Sequence, residues 1–226
     1  MLWTRPLILM LLLTLSSVAE AGDPFSFQRL FLIEDNACDF IPPYGAFGSG
    51  DHLSLWEDEG SVGEIGYAAQ RTNAVQGSGI LRIEGELEVR KDFSGGCVYS
   101  AVAVSIESNA LVRITASALG DRGGWSSENQ ILWFSVYENL GLFEQRLVAK
   151  TDFPVQAATV SFSESLDVPP GSYSVSLGAF ALGDSQQAKF EAFDLAVETL
   201  PEPTHGALAS LGAICLLARR VGQRRL

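Results

Sequence analysis

Few residues of this 226-residue chain are of the types that carry catalytic chemistry. His52, one of two histidines, follows Gly48-Ser49-Gly50-Asp51, a loop-like stretch that lacks the nucleophile-elbow pattern. A Ser-His-Asp or Cys-His arrangement would need this histidine beside a nucleophile, and a surface position is the simpler interpretation. Zinc sites need clusters of histidine or cysteine, which the sequence does not contain. We therefore expect no catalytic residue, no metal centre and no cofactor.

Carboxylates are the most numerous chemically active groups, with 25 between residues 22 and 200. Paired carboxylates could serve a glycosidase, but at this density such pairs arise by chance. Glu57-Asp58-Glu59 could hold a structural calcium ion through oxygen ligands, although the triplet lacks EF-hand spacing. A solvated acidic loop is the simpler interpretation of the triplet, and calcium is kept as the alternative.

Aromatic rings are the third kind of candidate, because an exposed ring can stack on the face of a sugar. Trp125 follows Gly123-Gly124 in a polar loop, and Trp56 begins the acidic loop. We predict that Trp125, together with Trp56, contacts glycans, with core packing as the competing role. Trp133 shares one strand face with Tyr137, and core packing is its expected role.

The elements that position these residues are strands almost throughout residues 22–200. In residues 81–90, apolar residues at positions 81, 83, 87 and 89 alternate with charged ones, which places one face on a core. Gly85 falls on the apolar side and marks a bulge or a close approach of the facing sheet. About ten short strands are predicted, including residues 25–33, 53–56, 81–90, 98–106, 112–116, 131–137, 142–149, 173–181 and 193–197.

Predicted turns contain glycine or proline and separate these strands, at residues 42–45, 77–79, 120–124 and 169–171. Many short strands with such turns indicate an all-β domain, a β-sandwich or barrel, with a two-sheet jelly roll preferred. Residues 170–195 resemble the closing strands of galactose-binding-like jelly rolls. We expect a signal helix before this domain and an apolar helix after it.

The N-terminus has the three parts of a secretory signal peptide: Arg5, an apolar run over residues 7–15, and Ala19-Glu20-Ala21. The apolar run is shorter than the roughly 20 residues that cross a bilayer, so an uncleaved anchor is the less favoured alternative. We predict a signal peptide at residues 1–21 and an outer domain at residues 22–200.

Cys38 and Cys97 are the two cysteines of the outer domain, and an exported pair most simply forms a disulfide. The bond would close a loop of about 60 residues and contribute roughly 4 kcal/mol in the chain-entropy treatment. Two unrelated buried thiols are the alternative.

The outer domain carries 25 acidic and 10 basic residues, a formal charge of −15. Such a surface repels phosphate backbones, so nucleic acid is excluded as a partner.

The C-terminal residues 201–226 have a different organisation. Pro201, Glu202 and Pro203 precede an uncharged segment of small and apolar residues, 206–218. That segment covers roughly 20 Å of a hydrocarbon core of about 30 Å, which suits a temporary stop, with a weak permanent anchor as the alternative. Four arginines then mark the cytoplasmic side: Arg219, Arg220, Arg224 and Arg225.

In this order, the triplet, the apolar segment and the arginine cluster resemble the PEP-CTERM sorting signal of exopolysaccharide-producing bacteria. The resemblance covers residues 201–226 and implies processing near the triplet by an exosortase-type enzyme. It also implies a transient stay in the inner membrane, followed by delivery to the cell surface or the extracellular matrix. The short apolar segment and the histidine before it, His205, depart from the pattern.

These features together predict a non-enzymatic structural or interaction protein of the cell surface or matrix. A carbohydrate-binding module is the alternative, and a glycoside-active enzyme is the second alternative. The expected partners are the exosortase-type enzyme and extracellular polysaccharide.

Overall fold

The computed structural model describes residues 24–34, 46–51, 53–62, 66–91, 97–123, 132–141, 144–152, 159–181 and 186–200. These residues form twelve strands and no helix. The strands are β1 (Phe25–Glu34), β2 (Ala46–Gly50), β3 (Ser54–Val62), β4 (Gly66–Gly77), β5 (Ile80–Lys91), β6 (Cys97–Ser108), β7 (Val112–Gly123), β8 (Leu132–Asn139), β9 (Gln145–Asp152), β10 (Thr159–Val168), β11 (Gly171–Ala181) and β12 (Gln186–Thr199).

The predicted signal helix and the apolar C-terminal helix lie outside the described residues. Within the described ranges, no helix has the length and apolar character needed to span a membrane.

The strands form two antiparallel six-stranded sheets. The first sheet has the order β2-β1-β6-β11-β8-β9, and the second has the order β10-β7-β12-β5-β4-β3. One hydrophobic core contains inward-facing residues of both sheets, such as Phe31 and Val104 from the first and Ile83 and Leu195 from the second. The predicted all-β sandwich is therefore confirmed.

Three strand pairs are nested along the chain: β5 with β12, β6 with β11, and β7 with β10. β5, β6 and β7 follow one another in alternate sheets. Later in the chain, β10 pairs with β7, β11 with β6 and β12 with β5, so the pairs form in reverse order. These six strands are therefore paired like the two arms of one long hairpin that folds around the core, with β8 and β9 between the arms. β1 pairs with β6 at one side, and β8 pairs with β11 at the other.

Alternation along β5 follows the prediction. Leu81, Ile83 and Val89 are fully buried, whereas Arg82 and Glu84 are exposed on the outer face. Burial of each such aliphatic side chain contributes about 1.5–3 kcal/mol relative to exposure, so this pattern determines which face of the strand meets the core.

Three strands were not predicted: β2, β4 and β10. β4 was not predicted as a strand because two of its inward-facing residues are polar. These are Gln70 and Thr72, each at most 2% exposed. The turn predicted at residues 120–124 is wrong for residues 120–123, because these residues continue strand β7 to Gly123. A Cβ on Gly120 would lie 2.7 Å from the carbonyl oxygen of Lys189, so this glycine permits close strand packing rather than a turn. The turns predicted at residues 77–79 and 169–171 are confirmed at Ser78-Gly79 and Pro169-Pro170, whereas Gly77 ends β4 and Gly171 begins β11.

Gly85 lies opposite an irregularity in β12, where the register with β5 shifts between Phe190 and Phe193. The predicted close approach is present, but it comes from the neighbouring strand β4 and not from the facing sheet. A Cβ on Gly85 would meet the carbonyl oxygen of Arg71 and would lie 2.7 Å from Cα of Thr72.

Candidate functional site

Several predicted site residues lie outside the part of the chain that the structure describes: Cys38, His52, Trp125, the motif Pro201, Glu202, Pro203 and the arginines Arg219, Arg220, Arg224 and Arg225. Their roles remain predictions. Cys97 is buried at the start of β6, on the outer side of the first sheet, and its pairing with Cys38 is likewise untested.

Trp56 lies within β3 and not at the start of a loop, which corrects the expected position of the acidic triplet as well. Its side chain is 7% exposed, and the Arg29 guanidinium lies 5.3 Å from the centroid of its ring. The indole is therefore part of the packed interior rather than an exposed platform for a sugar.

The acidic triplet is divided between two faces of β3, because successive strand residues point in opposite directions. Glu57 pairs with Arg71, and Glu59 accepts a hydrogen bond from the Tyr67 hydroxyl at 3.1 Å. A calcium ion bound by all three carboxylates would need a different local structure. Among the described residues, no group of three or more His, Cys, Asp or Glu side chains is arranged to hold a metal.

Trp133 packs on the outer face of the first sheet and not in the core between the sheets, which corrects its expected role. Its indole lies over Gly178, where an added Cβ would be 2.5 Å from Cζ2. The indole Nε1 donates to Ser176 Oγ at 3.2 Å, and the ring centroid is 5.3 Å from that of Tyr99. Tyr99 is buried in a second hydrophobic cluster on this outer face, and burial raises the pKa of its hydroxyl. The other buried members of this cluster are Leu30, Leu32, Cys97 and Ala101.

A groove of about 730 Å³ lies on the outer face of the second sheet, and we call it the sheet-two groove. Its lining extends from Leu55 on β3 to Phe162 on β10, so it crosses all six strands. At about 4.8 Å between neighbouring strands, the lining spans roughly 24 Å.

Two cross-strand rows of side chains line this groove, because the register aligns outward positions of neighbouring strands. The first row contains Leu55, Asn73, Glu84, Asp194 and Ser117. The second row contains Arg71, Glu86, Ala192 and Leu119. Between the two exposed leucines, the groove offers amide, hydroxyl, carboxylate and guanidinium groups.

The bulge in β12 explains where the depression lies. An extra residue in one strand bends it and disrupts the ladder locally. Here the bulge places Ala192 in register with Leu119, and on the other side the pairing with β5 resumes at Phe193, which lies opposite Gly85. Small residues at the centre of the sheet thus lie between longer side chains on either side.

Ion pairs hold several of the charged side chains of the groove in place. Arg82 donates to both carboxylate oxygens of Asp194, at 2.9 and 2.7 Å, and it lies 3.5 Å from Glu84. The hydrogen bonds to Asp194 raise the pKa of Arg82. Glu86 is half-buried, and it has no ion pair or side-chain hydrogen bond among the described residues.

The buried guanidinium of Arg29 lies on the core side of the second sheet, behind strands that form the groove. Arg29 is fully buried, and its Nη1 donates to the carbonyl oxygens of Ser54 and Thr72 at 3.2 Å each. Its guanidinium also lies 5.3 Å from the ring centroids of Phe27 and Trp56. Arg29 belongs to β1 of the first sheet, and its acceptors Ser54 and Thr72 belong to β3 and β4 of the second sheet, so this contact joins the two sheets.

Burial lowers the pKa of Arg29 to about 10, against an opposing effect of Asp51. The side chain is therefore charged at neutral pH, and its charge is held in the interior by carbonyl dipoles and aromatic faces. A sequence signal for this residue exists: position 29 has the same parity as Phe25, Phe27, Phe31 and Ile33, which are all buried.

Comparison with known proteins does not assign the chain to a family. No protein-family model and no curated protein matches it. The CBM22-1 xylan-binding domain of Paenibacillus barcinonensis Xyn10C is 13% identical, with 66% of this chain and 88% of that chain covered and a TM-score of 0.32.

Two other structural matches are equally distant. The K3 cleaved adhesin domain of Lys-gingipain from Porphyromonas gingivalis W83 is 12% identical, with 48% of this chain and 79% of that chain covered and a TM-score of 0.28. A structure of infectious bursal disease virus, Gx strain, is 12% identical, with 84% and 61% covered and a TM-score of 0.37. Scores this low carry no argument about function.

Proposed function

We propose that the chain is an exported, non-enzymatic sandwich protein of jelly-roll type that binds extracellular polysaccharide in the sheet-two groove. The groove itself carries this proposal: it is open, about 730 Å³ in volume, and it crosses the whole sheet. An extended polymer matches such a shape better than a small compact ligand does. The nested strand pairs support the jelly-roll class.

The chemistry of the lining fits a polyhydroxylated chain. Sugar hydroxyls both donate and accept hydrogen bonds, and the groove presents acceptors at Glu84 and Asp194 and mixed donors and acceptors at Asn73 and Ser117. Leu55 and Leu119, 51% and 43% exposed, provide apolar contact for the C–H faces of sugar rings.

Substitution of Ser117 by leucine is expected to weaken binding to the host's own polysaccharide at least tenfold, about 1.4 kcal/mol, because the larger side chain fills the groove. Ser117 faces outward between Asp194 and Ser163, so the fold tolerates the change. Affinity electrophoresis in polysaccharide-containing gels measures the effect.

Ser163→Leu is the matched control, because Ser163 is the exposed neighbour of Ser117 on the edge strand and does not line the groove. It should bind within twofold of the unsubstituted protein. Trp133→Ala tests the opposite face of the sandwich. If Trp133→Ala abolishes binding and Ser117→Leu does not, the polysaccharide binds on the first sheet and the groove proposal is wrong.

Glycoside cleavage is the rival raised by the carboxylates of the groove. A glycosidase needs two carboxyl groups that flank the scissile bond, one as an acid and the other as a base or nucleophile. Incubation of the protein with the bound polysaccharide distinguishes the two functions, because a binding protein releases no new reducing ends.

Delivery to the surface is the other half of the proposal, and it rests on the resemblance of residues 201–226. Replacement of Pro201, Glu202 and Pro203 by alanine is expected to keep the full-length form in the inner membrane, because processing would need the triplet. Mass spectrometry of membrane, surface and medium fractions measures both ends of the chain. A chain ending after Leu200 should be released as a folded domain, and normal sorting of the alanine variant would contradict the proposal.

A further inference from the structure

We infer that the sheet-two groove selects polysaccharide chains that carry protonated amino groups, and that Glu86 binds the ammonium. The inference rests on the proposed function and specifies its ligand. Of the charged residues lining the groove, four are carboxylates (Glu84, Glu86, Glu191 and Asp194) and one is the guanidinium of Arg71.

Most of these charges are already compensated. Asp194 is bound at both oxygens by Arg82, and Glu84 lies 3.5 Å from the same guanidinium. Arg71 forms its ion pair with Glu57 on β3, and so its charge is directed toward the edge strand. The groove therefore has an excess of negative charge that internal pairing does not remove.

Glu86 is the carboxylate best placed to receive a cation from a ligand. It lies in the second row, in register with Arg71, directly after the floor residue Gly85 and across from the β12 bulge. It is half-buried, and a charge interacts more strongly at such a position than at a fully exposed one, because less water screens it. Glu191, the other carboxylate without a partner in the described residues, is exposed.

Charge also determines which chains are excluded. The groove and the acidic outer domain repel uronate, sulfate and phosphate groups, and the repulsion begins during approach. A neutral chain gains only hydrogen bonds and apolar contact, whereas a chain with free amino groups gains a charge-assisted hydrogen bond as well. The favoured class is therefore an amino-sugar polymer that has lost part of its acyl groups.

The test compares oligomers of equal length by titration calorimetry at pH 6: a β-1,4-glucosamine hexamer, its fully N-acetylated form and a galacturonate hexamer. We expect the glucosamine hexamer to bind at least tenfold tighter than the N-acetylated one, and the galacturonate hexamer not to bind. Glu86→Gln should reduce this preference at least fivefold. Glu88→Gln is the matched control, since Glu88 lies on the same strand face, accepts a hydrogen bond from Gln187 and does not line the groove.

The possible outcomes separate the two proposals. Equal binding of the amino and N-acetylated hexamers, lost in Ser117→Leu, overturns the amino-group inference and leaves the polysaccharide groove standing. The inference is also overturned if the preference persists in Glu86→Gln, if it falls equally in Glu88→Gln, or if polylysine suppresses binding as efficiently as the glucosamine hexamer does. Each of these results would indicate non-specific charge attraction. Failure to bind any of the oligomers or the host's own polysaccharide overturns both proposals.

Discussion

Replacement of Arg29 by alanine is expected to lower the free energy of unfolding by about 3–5 kcal/mol. The substitution removes one of the largest fully buried side chains and leaves a cavity between the rings of Phe27 and Trp56. It also removes hydrogen bonds to the carbonyl oxygens of Ser54 and Thr72, which join the two sheets. Urea denaturation monitored by tryptophan fluorescence measures the loss.

Two further variants separate packing from charge. The pKa of Arg29 is lowered to about 10 in the folded state, so the unfolded chain holds this proton more tightly. The buried charge therefore costs stability at neutral pH, and the cost is relieved as the pH rises above about 10. Arg29→Met keeps much of the volume and removes that cost, so it should lie within about 2 kcal/mol of the unsubstituted protein.

Arg82→Ala is the exposed control, because Arg82 makes a bidentate pair with Asp194 at the surface. Surface pairs of this kind contribute about 0–1 kcal/mol. If Arg29→Ala costs no more than Arg82→Ala, the interior contact does not hold the sheets together.

Replacement of Gly85 by alanine is expected to cost about 2–4 kcal/mol and to weaken polysaccharide binding as well. The added Cβ would meet the carbonyl oxygen of Arg71 and lie 2.7 Å from Cα of Thr72. Both are backbone atoms of β4, so no rotation of a side chain can relieve the overlap. The φ angle of +157° is also one that residues with a side chain rarely adopt.

The effect of Gly85→Ala should appear in both thermal unfolding and affinity electrophoresis, because Gly85 lines the groove. Gly141→Ala is the control, since an added Cβ there has no atom within 4 Å, and it should change stability by less than about 0.5 kcal/mol. Equal stability of the two variants would show that β4 and β5 can separate without cost at this point.

The extent to which sequence predicted this fold depended on how regular each strand is. β5 and β11 were predictable, because their apolar residues recur at every second position. β4 was not, because Gln70 and Thr72 at inward positions make an interior strand look like a polar loop. Their burial depends on partners in the other sheet: Gln70 donates to the carbonyl oxygen of Ala101, and Thr72 accepts from Arg29.

The groove was beyond prediction for a different reason. Its first row joins Asn73, Glu84 and Asp194, residues that become neighbours only through the pairing of β4, β5 and β12. A bulge at a different position would shift this register by one residue and turn other side chains outward. No local sequence pattern marks where the bulge in β12 lies. Trp133 was misplaced for a related reason, because alternation alone does not say which face of a strand meets the core.

The central position of β12 in the second sheet determines when that sheet can be completed as the chain emerges from its N-terminus. β12 separates β7 from β5, so the pair β10-β7 and the group β5-β4-β3 have no hydrogen-bonded connection until residues 186–199 are available. A chain that emerges from its N-terminus delivers this strand after all the other strands of the described residues. The second sheet therefore stays in two parts until the last strand emerges, and under the proposed export this order keeps the chain incompletely folded until translocation is nearly complete.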